Sequence, residues 1–362
     1  MNYTPLKTSV SPPNQESGFV EIEKLREKIS SSNIPSDLKV RINTNIDRIE
    51  SVLKYGGNAV QIDTLARYVD WIVQLPWNRR TEDILDIAKA KKILDKNHFG
   101  LSLVKQRVLE YLSVLKLQKK QFGKNIAHAP ILLFVGLAGT GKTTFAMSVA
   151  QSLGRQFIRI PFGGLSTGLD LKGFSKMNPE AEPGIIIRNL VGVASANPVI
   201  LLDEIDRVGE ESRGEIMGIL LELLDPEQNN KFLDHFIDYP FDLSQAIFIA
   251  TSNNTQSIST AVLDRLEIIQ MPSYSDDDKI AISKKYILPR LLKESGMENN
   301  VIIVDDVVWH HLARVSGYDP GIRSIERKVE SIVRRVALQI VENKGSHFTI
   351  TEYNVREFVD LQ

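Results

Sequence analysis

The sequence contains no cysteine. That absence removes disulfides, thiolate zinc sites and cysteine nucleophiles together, and it fits a cytoplasmic address. Net charge is equally scarce: 44 Lys and Arg stand against 45 Asp and Glu, a formal charge of −1, so no global basic field exists to recruit nucleic acid. No run approaches the roughly 18 apolar residues that span a membrane, and the amino terminus lacks the apolar core of a signal peptide. Neither nucleic-acid binding nor membrane insertion is expected. What is present is an ordinary globular composition, 43% apolar and 25% charged over 362 residues, enough for two or three domains with cores of their own.

The chain divides by pattern. Residues 1–18 carry Pro5, Pro12 and Pro13 among Ser, Asn and Gln, a mix that cannot bury a core and reads as a mobile tail. Residues 19–97 read as helical: Ile22, Leu25 and Ile29, then Leu38, Ile42, Ile46, Ile49 and Leu53, then Ile62, Leu65, Val69 and Ile72 keep three-and-four spacing, broken by Gly56-Gly57. A further helix is expected over Asp83–Asn97, and the Lys116–Lys124 cluster reads as a solvated linker. Residues 98–272 hold short apolar runs at Ile131–Val135, Phe157–Ile160, Val199–Asp203, Ile247–Thr251 and Glu267–Met271, separated by helical stretches. Such alternation indicates an α/β domain with a parallel sheet covered on both faces. Residues 273–362 return to helices, Asp276–Ser295, Asp305–Ser316 and Gly321–Asn343, with one short strand candidate at His347–Thr351.

Two stretches carry chemistry. After the run Ile131–Val135 comes Gly136-Leu137-Ala138-Gly139-Thr140-Gly141-Lys142-Thr143-Thr144, the spacing G-x-x-x-x-G-K-T in its strand-to-helix setting. Glycines let backbone N–H groups converge on one anion, and the helix start adds its positive dipole end. Lys142 suits β- and γ-phosphates, and the Thr143 hydroxyl suits Mg²⁺. The run Val199–Leu202 ends in Asp203-Glu204, two carboxylates delivered to the same sheet edge, one for the metal shell and one to polarise a water. In isolation that pair would be a solvated turn; with the phosphate loop it points to a nucleotide hydrolase. Asn253 closes the next strand, and Arg265 precedes the last one.

Tyr68-Val-Asp-Trp71 with Leu75-Pro76-Trp77, His98-Phe99-Gly100, Leu202-Asp-Glu-Ile-Asp206, Leu224-Asp-Pro-Glu-Gln-Asn-Asn230, Ile249-Ala-Thr-Ser-Asn253 and Leu263-Asp-Arg265 resemble the signatures of Lon, the ATP-dependent protease family of the AAA+ superfamily, in Lon order from about Phe19 to Gln362. The resemblance implies an AAA+ P-loop fold with a helical arm before it and a small helical lid after it. It further implies ATP and Mg²⁺ as ligands, a homo-hexamer, and protein substrates that are remodelled, unfolded or translocated. By the same resemblance Asn253 is the first sensor, Arg265 a finger reaching the adjacent subunit's nucleotide, Arg323 the second sensor, and His98 with Phe99 part of the adenine pocket.

Two departures accompany it. In Lon a serine–lysine proteolytic domain follows the lid, and residue 362 falls at that boundary, so no peptidase residue is expected here. A natural short protein is favoured, working alone or with a protease in trans. The substrate-gripping loop, which carries an aromatic–aliphatic pair in the family, holds Asn178-Pro179, with Phe174 or Met177 as candidate substitutes. Weakened translocation is the expectation, and a nucleotide-gated scaffold is the alternative reading.

Overall fold

A computed structural model describes residues 15–55, 60–122, 130–178, 180–314 and 321–359. Most of the expected tail, the Gly56-Gly57 break, Gly123-Lys124 and Pro179 lie outside the described residues. The first described helix, Gln15–Ser31, starts inside the stretch read as tail. Nine strands occur among the described residues: β1 Ile131–Val135, β2 Phe157–Pro161, β3 Val199–Asp203, β4 Phe232–Leu233, β5 Pro240–Phe241, β6 Ile247–Ser252, β7 Leu266–Gln270, β8 Ile302–Val304 and β9 Phe348–Ile350.

The described residues fall into two compact units. One combines those of Met1–Thr81 with Leu165–Pro198 and Glu210–Ala246. Its helices Gln15–Ser31, Ser36–Lys54 and Val60–Gln74 bury the expected stripes, Ile29, Leu38, Ile42, Ile46, Val69 and Ile72 among them. The antiparallel pair β4–β5 belongs to this unit, and Trp77 packs on Phe241 at 5.3 Å between ring centroids. Tyr68 donates its hydroxyl to the Ile237 carbonyl at 3.0 Å. The buried Asp234 carboxylate accepts from the N–H groups of Gly184, Phe236 and Ile237 at 2.7, 2.8 and 3.0 Å, closing the base of the segment that carries Asn178.

The other unit comprises Glu82–Gly164, Val199–Gly209 and the described residues of Ile247–Gln362. Here five strands form one parallel sheet in the order β2-β3-β6-β1-β7, with Leu132 opposite Ile249, Leu201 opposite Ile249, and Ile131 opposite Leu266. β3 and β6 are buried along their whole length, as near-continuous apolar runs in a covered parallel sheet should be. The helix Lys142–Leu153 packs Phe145, Val149 and Leu153 into a core shared with Leu132, Phe134, Leu201 and Ile249, and Phe134 meets Phe145 edge-on at 5.5 Å. That order sets the carboxyl ends of β3, β6 and β1 side by side.

Three sequence expectations are corrected. The helix read from Asp83 begins at Ile87, because Asp86 accepts from the N–H groups of Ala88 and Lys89 as its cap while Asp83 is committed to Arg155. Lys116 is not linker but part of the helix Ser102–Phe122, whose Val108, Leu112 and Leu115 face the core. The carboxyl-terminal region, read with a single strand candidate, holds two: β8 pairs in parallel with β9 over Ile302–Phe348 and Val304–Ile350, beneath a core of Trp309, Leu312, Val329, Ile332 and Val333. The expected Asp276–Ser295 helix is there but opens into a π turn at Ser283–Ile287, where the Leu288 N–H reaches the Ser283 carbonyl. Pro289 follows immediately, and its missing N–H makes the regular ladder impossible there.

Asp83 and Arg155 form a bidentate pair at 2.6 and 3.0 Å, with side chains 7% and 2% exposed. Burial alone would raise the Asp83 pKa, but Arg155, with help from Lys119, holds it below the usual carboxylate value. Removing one partner leaves a buried charge without its counter-charge. Asp83→Ala is expected to lower unfolding stability by about 3–5 kcal/mol, measured by urea denaturation.

Candidate active site

The loop after β1 is shaped by contacts that admit little else. Gly141 stands at φ +89°, a left-handed position at the start of the helix Lys142–Leu153. A Cβ on Gly321 would sit 2.4 Å from the Ala138 carbonyl oxygen, so only glycine lets the segment entering Arg323–Val341 lie against the loop. Ile322 then donates its N–H to the Gly139 carbonyl at 3.1 Å, and Tyr274 donates its hydroxyl to the Thr140 carbonyl at 3.1 Å. Within the loop the Thr140 hydroxyl caps Leu137 and the Thr144 hydroxyl caps Gly141.

Lys142 is buried and donates to the carbonyls of Gly136 and Leu137 and, at 3.0 Å, to Asn253 Oδ1. Burial lowers its pKa, the nearby Glu204, Asp206 and Asp203 oppose the fall, and Arg323 adds to it. Asp206 Oδ2 accepts the Asn253 N–H at 3.1 Å and so fixes the turn that presents this amide. Asp203 lies at the end of β3, with the Thr143 hydroxyl 3.3 Å from its Oδ1. Thr251 on β6 links the two acids: its hydroxyl donates to Asp203 Oδ1 at 2.5 Å and accepts the Glu204 N–H at 2.8 Å. Glu204 itself adopts φ +57°, a costly conformation for a residue with a side chain, and its carboxylate is 3.4 Å from Arg207 Nε.

A cleft of about 220 Å³ opens here, lined by Ala138, Gly139, Gly141, Lys142, Thr143, Thr144, Arg159, Asp203, Glu204, Ile282, Ile287, Ile322, Arg323 and Glu326. Gly136, Leu137 and Asn253 stand behind it as partners of Lys142. His98 and Phe99 are not among its lining residues. His98 is buried, its Nε2 2.9 Å from Ser148 Oγ and its ring 4.6 Å from that of Phe145, while Lys285 lies over the Phe99 ring. Arg265 is exposed, outside the cleft, and donates to the Ala261 carbonyl at 3.0 Å. Arg159, which meets Asp203, and Thr251, which bonds both acids, belong to this cluster and were passed over by sequence reasoning. Arg159 had a signal, being the only charge within the strand Phe-Ile-Arg-Ile-Pro.

The donor set suits a phosphate chain and a hard cation. N–H groups at the start of the helix Lys142–Leu153 have no acceptor within the helix and suit an anion. Thr143 Oγ1 and the Asp203 carboxylate supply oxygens of the kind that Mg²⁺ prefers when phosphates complete its shell.

Residues 132–274 match the family of ATPases associated with various cellular activities, AAA. The Lon protease of Lawsonia intracellularis is 39% identical over 341 residues, 94% of this chain and 40% of that protein. Lon protease 2 of Thermus thermophilus is 39% identical over 350 residues, 95% of this chain and 43% of that protein. The Lon protease of Bacillus thuringiensis is 39% identical over 341 residues, 94% of this chain and 41% of that protein. The chain thus spans about two fifths of the length of these curated relatives.

Burial pushes the His98 pKa down from 6.5 to about 4, with the Lys105 charge adding to the fall. The unfolded chain therefore takes up this proton first as pH drops. The contribution to stability is complete above pH 6.5 and is lost between 6.5 and about 4. Urea midpoints over that range are expected to fall more steeply for the wild type than for His98→Gln.

Proposed function

We propose that this chain, similar to Lon proteases and carrying an AAA ATPase match, hydrolyses Mg²⁺-ATP at this cleft and uses the cycle to remodel, unfold or translocate protein substrates within a homo-hexameric ring. The observation that carries the reading is the convergence of Lys142, Thr143, Asp203, Glu204 and Asn253 at the adjoining carboxyl ends of β1, β3 and β6. Lys142 exchanges its carbonyl partners for β- and γ-phosphate oxygens. Thr143 and Asp203 hold the metal, which when bound neutralises charge developing on the phosphates. Glu204, held at the strand end by Thr251, accepts the proton of the attacking water, and Asn253 orients that water. Arg323, in the cleft wall, reads the γ-phosphate and couples it to the segment resting on the loop. Arg265, exposed and outside its own cleft, completes the site of the adjacent subunit.

A second reading, a scaffold whose assembly is set by nucleotide, is favoured by Asn178, an exposed amide where the family places an aromatic. Casein separates the two, since a motor with a working pore is stimulated by an unfolded chain and a scaffold is not. Glu204→Gln is expected to lower steady-state ATP turnover at least about 100-fold while nucleotide still binds. Arg265→Ala is expected to lower it by about 10³-fold and to abolish the rise of specific activity with protein concentration. Wild-type turnover by Glu204→Gln would overturn the assignment.

A further inference from the structure

One cation in the cleft comes from neither the loop nor the lid. Arg159, on β2, places Nε at 2.7 Å and Nη2 at 2.6 Å from a single oxygen, Oδ2 of Asp203. The other oxygen, Oδ1, takes the Thr251 hydroxyl, and the Thr143 hydroxyl lies 3.3 Å from Oδ1 and 3.5 Å from Oδ2. The carboxylate suited to a divalent ion is therefore already neutralised, on the oxygen that Thr251 leaves free. The pair is unequal: the Arg159 side chain is 54% exposed and that of Asp203 only 3%. The guanidinium can withdraw into water, whereas the carboxylate must stay and keep a counter-charge.

We propose that Arg159 is the resident counter-ion of the metal site, occupying Asp203 Oδ2 until a divalent ion arrives and then yielding it. Metal binding is thereby an exchange of one cation for another. The inference rests on the nucleotide reading above for the identity of the incoming ion. The exchange also solves a problem of approach. Asp203 and Glu204 line the cleft that a polyphosphate must enter, and while Arg207 lies beside Glu204, it is Arg159 that meets Asp203. With Arg159 on Asp203, an incoming anion meets a paired carboxylate in place of a bare one.

The test is a titration of Mn²⁺ into ADP-saturated protein, with free Mn²⁺ read by electron paramagnetic resonance, for wild type, Arg159→Gln and Arg159→Lys. No turnover is needed. Arg159→Gln is expected to bind Mn²⁺ roughly five- to tenfold more tightly, the scale of one charge-assisted contact with an exposed partner. Arg159→Lys should fall between, since an ammonium keeps the charge but not the paired Nε and Nη2 contacts of the planar guanidinium with one oxygen. In EDTA without nucleotide, Arg159→Gln should unfold at a lower temperature than wild type. ADP binding with equal or weaker Mn²⁺ affinity in Arg159→Gln would overturn the exchange alone. Failure of the wild type to bind ADP would overturn the nucleotide reading and the exchange with it.

Discussion

One hydroxyl holds the acidic edge of the parallel sheet together. Thr251 sits at the end of β6, between β3 and β1, and its oxygen donates to the Asp203 carboxylate while receiving the Glu204 N–H. A hydroxyl is the smallest group that can do both, because it carries a donor and acceptor lone pairs on one atom. Glu204 is kept in a left-handed conformation by that bond, and the direction of its carboxylate follows from a backbone state that costs about 1–3 kcal/mol elsewhere. Asp206, three residues on in β3's exit, does for Asn253 what Thr251 does for the acids. The strand order supplies proximity, and these two side chains convert proximity into aim.

The same economy appears in the charges. Lys142 is tied to two carbonyls and an amide, and Asp203 to two hydroxyls and a guanidinium, of which the Arg159 guanidinium is the solvent-facing one. A cationic ligand can take the place of that guanidinium without leaving Asp203 unpaired. Asp83 and Arg155 show the opposite design: both are buried, both are bidentate, and nothing invites exchange.

Much of this was legible in the residues. The phosphate loop, the acids after β3 and the five strands announce themselves through apolar runs that end in particular polar side chains. What escaped did so for physical reasons. β8 has three residues, too few for any periodicity, and exists because Ile302 and Val304 pair with the expected β9 and cover a helical core. The lysines from Lys116 onward resemble a linker in composition, yet Val108, Leu112 and Leu115 anchor the helix that carries them. The start of the helix at Ile87 depended on whether Asp83 or Asp86 serves as its cap, and only the position of Arg155 decides that. Family resemblance implies a place for His98 beside the adenine, and the residues alone could not show that its ring meets Ser148 and Phe145.

The π turn before Pro289 has a bearing on how this site can vary. Ile282 and Ile287, five residues apart, both line the cleft. On a regular helix they would point about 140° apart. The i→i+5 bonding of the wide turn brings residues so spaced nearly above one another. The apolar wall facing the phosphate loop is consequently encoded by chain length more than by side-chain identity. Exchange of one aliphatic residue for another preserves it, whereas a single insertion or deletion between residues 282 and 289 would rotate half of it out of the site.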